Sequence, residues 1–170
     1  RVFRIIGDEA IVNHYGFNND GMKKVNARLQ KFGKRSVLGL NLGANKDSLN
    51  MATDFTKVLQ YCAENIHFAT LNISSPNTKN LRDFQTKEKL HDLLDLVSDS
   101  VENLSHPLPI FIKISPDLSC YQIEQIVRLA VDYKIAGIIA TNTSTDYKIL
   151  TNTDRFSKGG ISGKPLFAKS

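Results

Sequence analysis

Four short apolar segments stand out along the chain and predict strands of a buried sheet. They are SVLGLN at 36–41, FATLNI at 68–73, IFIKI at 110–114 and GIIATN at 137–142. Continuous apolar runs of this length, as opposed to alternating ones, are typical of strands that are covered on both faces. The sequence therefore predicts four strands inside a layered α/β fold.

Four amphipathic helices are predicted before and between these strands. Their apolar residues recur at helical spacing in four stripes: Met22, Val25, Leu29; Phe55, Val58, Leu59, Cys62; Leu90, Leu93, Leu94, Val97, Val101; and Ile123, Ile126, Val127, Ala130, Val131. A stripe with this period marks the helix face that turns toward a core. The last helix has the best-defined start, because Ser119 and Gln122 have the spacing of a capping box.

The order of strands and helices predicts a parallel sheet. Successive strand ends lie roughly 30 to 40 residues apart, which suits repeated βα units. No strand is followed by GxGxxG or GxxxxGK[ST], the fingerprints of doubly wound nucleotide-binding sheets. The favoured fold is an α/β structure of the (β/α)8 TIM barrel type. A complete barrel takes about 250 residues, so the 170 residues would supply only part of it.

Composition and charge exclude several classes of protein but select no partner. With 41% hydrophobic and 23% charged residues, the chain has ordinary globular composition. The net charge of +5 comes from scattered Lys and Arg, which indicates a solvated surface and no nucleic-acid site. No signal peptide or membrane span is visible. Histidine spacing predicts no metal site, and Cys62 and Cys120 are expected to be buried, unpaired thiols.

The predicted strands end alike, in polar residues. These are Asn41, Asn72, Lys113, and Thr141 with Asn142. In a barrel the carboxyl ends of the strands converge on one mouth, where active sites lie. Amides grouped there can read the alternating N–H and C=O groups of a pyrimidine-like ring, and the lysine can balance negative charge on a ring. The alternative is that asparagines merely form turns.

The segment LNISSPNTKNL, at 71–81, supplies a possible reacting group. Ser75 precedes Pro76, which restricts the backbone of both residues and holds the serine in place. The segment is not a GxSxG nucleophile elbow, and no adjacent His or Asp is apparent. A serine hydroxyl is a poor base unless its proton is passed on, and a structural role for a loop serine remains the alternative.

Two glycine-rich segments leave their roles open. NHYGFNNDG, at 13–21, is either a binding loop with Asn13 and Phe17 facing a ligand or a turn before a helix. GGISG, at 159–163, can present N–H groups to a phosphate, but its glycine count favours a mobile loop.

Six segments together resemble dihydroorotate dehydrogenase, over essentially the whole chain. They are NHYGFNNDG, GLNLGANKD, LNISSPNT, FIKISPDL, IIATNTS and GGISGKPL, in the order and at the separations of that family. The cytosolic class of the family usually carries a cysteine as its catalytic base, whereas Ser75 stands here. The chain therefore resembles the quinone-dependent, membrane-associated class.

This resemblance implies oxidation of dihydroorotate to orotate in pyrimidine synthesis, with FMN and then a quinone as electron acceptors. Ser75 would be the base, and Thr78 and Phe17 would flank a water that relays its proton. Substrate contacts would be Asn13, Tyr15, Gly16, Phe17, Asn72, Asn77, Asn142 and Thr143. Flavin contacts would be Asn41, Asn72, Lys113, Thr141, Ser162 and Gly163. Neither a metal nor a nucleic acid is expected as a partner.

The resemblance also implies parts that the 170 residues do not include. These are an N-terminal helical pair that forms the quinone tunnel and touches the membrane, an early lysine, and the last barrel strands with the FMN phosphate site. Residues 1–170 are thus expected to be a partial FMN-binding βα barrel that binds FMN poorly by itself. The location would be peripheral, on the inner cytoplasmic membrane of a bacterium or the mitochondrial inner membrane. His14 stands where this class commonly has arginine.

Two other functions remain open at this point. One is another FMN barrel that acts on a dihydropyrimidine, which should carry a cysteine as its acid. The other is a non-catalytic fragment.

Overall fold

A computed structural model describes residues 2–32, 36–45, 47–151 and 158–170. In these residues the strands are β1 Val2–Ile5, β2 Ala10–Asn13, β3 Gly39–Leu42, β4 Phe68–Asn72, β5 Ile110–Lys113, β6 Gly137–Ile139 and β7 Gly160–Gly163. The α-helices are α1 Met22–Phe32, α2 Met51–Cys62, α3 Lys87–Glu102 and α4 Cys120–Asp132. Short 3-10 helices cover Ile6–Asp8, Ala63–Asn65, Leu81–Gln85, Tyr147–Ile149 and Lys164–Lys169.

Strands β3, β4, β5 and β6 form one sheet in chain order, and each neighbouring pair is parallel. Helices α2, α3 and α4 connect successive strands, so the predicted βα units and all four predicted helices are present. The expected capping box at α4 is confirmed, because the Ser119 hydroxyl accepts the N–H of Gln122 at 3.3 Å and the Gln122 side chain accepts the N–H of Ser119 at 3.0 Å.

The two faces of this sheet differ in character. On one face Leu42, Leu71 and Ile112 are buried against helix residues that include Phe55 and Leu90. Each fully buried side chain of this kind stabilises the fold by about 1.5–3 kcal/mol. The register places Asn72 opposite Lys113 and Asn41 opposite Thr70. Because side chains alternate along a strand, these four residues share the other face.

The prediction that all four strands are buried on both faces is right for β4, holds only in part for β5, where Phe111 and Lys113 are half-buried, and is wrong for β3 and β6. In β3, Gly39 and Asn41 are exposed, and β6 is half-buried throughout. Both are outer strands of the described sheet, so their side chains have neighbours on one side only. Within β6, Ile138 packs against the hydrophobic core, but none of the three residues is fully covered.

A second, antiparallel sheet was not predicted from the sequence. It has the order β1-β2-β7 and pairs Ala10 with Gly163 and Asn13 with Gly160. Val12 and Ile161 lie in its small core, which is fully buried. The expectation that GGISG is a mobile loop is wrong, because β7 is held by this pairing. A Cβ at Gly160 would lie 2.0 Å from the Thr143 hydroxyl oxygen, which explains the glycine there.

The two cysteines differ, which corrects the expectation of two buried thiols. Cys62 is buried at the end of α2, and burial raises its pKa. Cys120 is exposed, because it is the first residue of α4 and lies outside the buried stripe of that helix.

Within the described ranges, no helix has the length and apolar content needed to cross a bilayer. Those same ranges contain no group of three or more His, Cys, Asp or Glu side chains that could hold a metal ion.

Candidate active site

An amide cluster connects the ends of β3 and β4 with the loop after β6. Asn72 donates to the Asn41 side-chain oxygen at 3.0 Å, and Asn142 donates to the Asn72 oxygen at 3.3 Å. The Ser74 hydroxyl donates to the Asn72 side-chain oxygen at 2.9 Å and accepts from the Asn142 side-chain amide at 3.0 Å. Mutual hydrogen bonds fix the orientation of these side chains, so the cluster presents an ordered set of donors and acceptors.

The cluster is stable at the sheet end because its members are satisfied. Asn72 is 5% exposed and Ser74 is fully buried, and an unpaired amide at such a depth would cost about 1–3 kcal/mol. The Asn142 oxygen also accepts the N–H of Thr143 at 2.8 Å, which fixes the orientation of the Asn142 amide. The predicted convergence of Asn41, Asn72 and Asn142 is therefore observed.

Ser75 follows directly and lies in a buried turn. Its hydroxyl oxygen accepts the N–H of Asn77 at 3.3 Å, a local turn contact that the intervening Pro76 supports. Ser75 and Thr78 are each 5% exposed. In the described part of the chain no imidazole or carboxylate bonds to the Ser75 hydroxyl. A proton taken up by Ser75 would therefore have to be passed on to solvent or to the substrate.

The segment from Asn13 to Phe17 reaches the same region. Gly16 has a φ of +67°, and a Cβ there would lie 3.6 Å from the Asn77 carbonyl oxygen. The Phe17 ring packs over Gly43 at the end of β3, because a Cβ at Gly43 would meet it at 2.7 Å. These contacts favour the binding-loop interpretation for Gly16 and Phe17, whereas Asn13 is the last residue of β2.

Two neighbouring side chains of that loop do not join the amide cluster. The Tyr15 residue is 57% exposed, so nothing in its surroundings supports the predicted substrate contact. His14 is exposed as well and lines a second cavity of about 460 Å³, whose lining also includes Pro76, Asn77 and Lys158.

A cavity of about 400 Å³ adjoins the cluster on the side of β5, β6 and β7. Its lining includes four of the predicted flavin contacts, namely Lys113, Thr141, Ser162 and Gly163, together with Asn142 and Thr143. Among the described residues no carboxylate lies within ion-pair distance of the Lys113 ammonium group. The volume is in the range of small-molecule sites, and the free cation suits an electron-rich ring.

Sequence reasoning missed Arg82 and Asp117, which lie behind the loops that carry the cluster. Arg82 donates to the Ser74 carbonyl at 3.1 Å and to the Thr143 carbonyl at 2.9 Å. It also forms an ion pair with Asp117 at 2.9 Å. A single arginine in a predicted loop carries no spacing signal, so the sequence offered no means of finding this pair.

Asp117 has an unusual environment for a carboxylate near the surface. Partial burial by itself raises its pKa, but hydrogen bonds from Ser144, Thr145 and Arg82, and the charge of Arg82, outweigh that effect. The pKa of Asp117 therefore lies below its ordinary value, and the ion pair is present at neutral pH.

Comparison with known proteins gives consistent matches. A family model described as dihydroorotate dehydrogenase matches residues 1–170. A protein of Cereibacter sphaeroides named dihydroorotate dehydrogenase (quinone) is 45% identical over 171 residues, with 100% of this chain and 48% of the relative covered. One of the same name from Christiangramia forsetii is 40% identical over 172 residues, with 100% and 50% covered.

Two solved structures also match the chain over its full length. A crystal structure of DHODH from Eimeria tenella in complex with ferulenol matches with a TM-score of 0.90 at 30% identity, covering 100% of this chain and 52% of that one. The ligand-free form matches with a TM-score of 0.91 at 31% identity. These matches, with the parallel βα units, confirm the predicted partial TIM barrel. The chain spans about half the length of the curated relatives it matches.

Proposed function

Because this chain belongs to the dihydroorotate dehydrogenase family, we propose that its protein oxidises (S)-dihydroorotate to orotate in pyrimidine synthesis, with FMN and then a quinone as electron acceptors. Residues 1–170 would form part of the FMN-binding βα barrel. The observation that carries the proposal is the cluster of Asn41, Asn72 and Asn142 beside the buried Ser75. An ordered set of amides next to one hydroxyl suits a planar ring with alternating N–H and C=O groups.

The amides would read the substrate ring. The side chains of Asn13 and Asn77 form no hydrogen bond with any described residue, so their donors and acceptors remain available to a ligand. Asn72 and Asn142, which the network orients, and Thr143 would complete the contacts to the ring and its carboxylate. Gly16, close to Asn77, would let the backbone approach the ring, with Phe17 beside it. Tyr15 would contribute only through its backbone.

Ser75 would remove a proton from C5 of dihydroorotate. The bonds from C5 and C6 to hydrogen break and the C5–C6 double bond forms, while one proton leaves through Ser75 and a hydride leaves from C6. Thr78, buried near Ser75, and Phe17 would flank the water that carries the proton onward. Such a relay would compensate for the weak basicity of a serine hydroxyl, which can act as a general base only when its own proton is passed on.

The residues of the 400 Å³ cavity fit a flavin ring. Its lining includes Lys113, Thr141, Ser162 and Gly163. Asn41 and Asn72 lie on the same face of the parallel sheet as Lys113. When bound there, FMN would supply the hydride acceptor. The ammonium group of Lys113 would stabilise negative charge at the pyrimidine edge of the ring, since it has no protein carboxylate among the described residues to neutralise it.

The proposal that a quinone accepts the electrons rests on the names of the relatives. Respiratory quinones dissolve in membranes, so the protein would bind peripherally to an inner membrane: the cytoplasmic membrane of a bacterium or the mitochondrial inner membrane of a eukaryote. That contact would be made through residues outside 1–170. Neither a metal nor a nucleic acid is part of the proposed reaction.

The decisive experiment is anaerobic mixing of the complete gene product, with FMN bound, with dihydroorotate while the flavin absorbance is followed. We expect bleaching, and then recovery when a quinone is added but not when fumarate or NAD is added in separate runs. Recovery with fumarate or NAD would contradict the quinone assignment. An absorbance that does not change, with FMN shown to be bound, would refute dihydroorotate oxidation, and uracil-like dihydropyrimidines would then be tested.

A further inference from the structure

The Arg82 side chain contacts three loops that follow neighbouring strands. Its guanidinium group makes four hydrogen bonds, to the carbonyl oxygens of Ser74 and Thr143, to the Asp117 carboxylate and to the Thr145 hydroxyl. Ser74 belongs to the loop after β4, Asp117 to the loop after β5, and Thr143 and Thr145 to the loop after β6. Arg82 therefore joins these three loops through bonds to residues up to 63 positions away from it in the chain.

Asp117 completes this connection from the other side. One of its oxygens accepts from Arg82 at 2.9 Å and from the Thr145 N–H at 2.8 Å, and the other accepts from the Ser144 hydroxyl. Its own N–H donates to the Ser115 hydroxyl at 3.1 Å, and the Ser115 N–H donates to Gln85, three residues after Arg82, at 2.8 Å. The three loops are thus tied at several points around one ion pair.

The contacts of this pair adjoin the proposed reacting residues. The Ser74 carbonyl directly precedes Ser75 in the chain, and the Thr143 carbonyl directly follows Asn142. Ser74 also bonds through its hydroxyl to both Asn72 and Asn142. A shift of either loop would change the separation between the base and the amides that hold the ring.

We infer that Arg82 and Asp117 are positioning residues, which hold the loops after β4, β5 and β6 at the spacing that Ser75, Asn72 and Asn142 require. Neither residue lines the 400 Å³ cavity or belongs to the amide cluster, so they act through the backbone they bind. The expected effect on the reaction rests on the proposed function. The expected effect on the position of the loops is independent of that function.

The pair differs from the ordinary surface ion pairs of this chain. The side chains of Arg82 and Asp117 are 24% and 21% exposed, whereas those of Arg128 and Glu124, an i,i+4 pair on α4, are 66% and 56% exposed. Among the described residues, the Arg128 side chain bonds only to Glu124. Exposed pairs of that kind contribute little to stability, which makes Arg128 a matched control for the same substitution.

The substitution Arg82→Lys removes the planar guanidinium group but keeps the positive charge. A guanidinium group presents five N–H donors in a rigid plane, whereas an ammonium group is a point charge on a flexible stem. Lysine can keep the ion pair with Asp117 but cannot reach the carbonyls of Ser74 and Thr143 at the same time. Arg82→Ala and Asp117→Asn remove the pair itself, and Arg82→Lys remains informative if either of those fails to fold.

The first measurement is amide hydrogen exchange in the complete gene product without substrate. In Arg82→Lys we expect exchange at 74–78 and 141–146 to become at least about ten-fold faster, because the loops lose the bonds that hold them. Exchange in α3 and α4 should stay as in the wild type, and Arg128→Lys should change none of these segments. Unchanged loop exchange would overturn the proposal, and so would an equal increase throughout the protein, which would indicate loss of global stability only.

The second measurement is the rate of flavin reduction by saturating dihydroorotate, per bound flavin. Arg82→Lys should lower it about 100-fold, since displacement of reacting groups by about 1 Å costs on that order. Orotate affinity should change less than about ten-fold, because the ring contacts themselves remain. A wild-type rate in Arg82→Lys would overturn the positioning role. If the wild-type protein itself does not reduce its flavin, the proposed function fails, and hydrogen exchange alone decides whether the pair holds the loops.

Discussion

Ser74 and Ser75 are adjacent in the chain but have different surroundings. The Ser74 hydroxyl is held between the amides of Asn72 and Asn142, whereas among the described residues the Ser75 hydroxyl bonds only to the N–H of Asn77. One hydroxyl is therefore fixed inside the network that would hold the ring, while the other keeps its proton and a lone pair available. This contrast assigns the two serines separate roles in the proposed reaction.

Ser75→Ala should slow flavin reduction by dihydroorotate about 10²- to 10⁴-fold, as expected for loss of a general base. FMN content and orotate affinity should remain close to those of the wild type. Ser74→Ala is the matched variant: it should weaken orotate binding by about ten-fold or more, because two hydrogen bonds of about 1 kcal/mol each are lost from the cluster. Stopped-flow absorbance and orotate titration measure the two effects. An equal loss of rate and affinity in Ser75→Ala would mean that Ser75 is structural.

Gly160 is the point at which β7 packs against Thr143. A Cβ there would lie 2.0 Å from the Thr143 hydroxyl oxygen and 2.6 Å from its Cβ. Gly160→Ala should displace Thr143 and weaken orotate binding about ten-fold, since overpacking costs about 1–3 kcal/mol. Gly7→Ala is the control, because a Cβ at Gly7 meets nothing within 4 Å. Orotate titration of both variants checks the prediction, and equal affinities would contradict it.

At the scale of elements, helix α4 starts with a complete capping box and α3 does not. The Ser119 hydroxyl accepts the Gln122 N–H, whereas Thr86, at the same position before α3, makes no side-chain capping bond. Ser119→Ala should lower the free energy of unfolding by about 1 kcal/mol, and Thr86→Ala by clearly less. Urea unfolding of the complete gene product measures both. An unfolding free energy that does not change in Ser119→Ala would show that the cap at α4 contributes nothing.

The loops after β4, β5 and β6 depend on an ionised Asp117. Because the pKa of Asp117 is lowered in the folded state, its contribution to stability is present above the unfolded-state pKa of about 3.9. That contribution is lost as the pH falls through the lower folded-state pKa. The difference in unfolding free energy between wild type and Asp117→Asn should thus be constant near neutral pH and shrink below about pH 4. A difference independent of pH down to pH 3 would contradict this.

At the scale of the whole molecule, the parallel sheet has two outer strands, β3 and β6, in the described part of the chain. Asn41, and Gly137 and Ile139 of β6, are consequently not fully covered on the face that carries the polar cluster. The site is therefore assembled at one end of a sheet whose polar face is only partly covered.

The 170 residues expressed alone are expected to lose FMN during gel filtration, because they span only about half the length of the relatives they match. The complete gene product, run under the same conditions, should retain its flavin. Absorbance of the protein peak measures the difference. A yellow peak from the 170 residues would contradict the prediction and show that these residues hold the cofactor unaided.

Much of the fold was predictable because local pattern and final environment agree. The stripe from Phe55 to Cys62 became the buried face of α2, and Ser119 with Gln122 marked the start of α4. The hairpin of β1 and β2 was missed because its strands are only four residues long and half exposed, so their apolar residues form no distinct run. The segment GGISG was misjudged, because glycine usually weakens strands but here permits close contact with Thr143.

The sequence by itself determined the order of βα units and the polar residues that end the strands, because side-chain periodicity and chain direction place those ends together in a parallel sheet. Only the tertiary structure decided which of those residues meet, since hydrogen bonds such as Asn72 to Asn41 and Asn142 to Ser74 join residues 31 and 68 positions apart. The same is true of Arg82 and Asp117. Their role arises from carbonyl groups of distant loops, and backbone carbonyls leave no trace in the pattern of side chains.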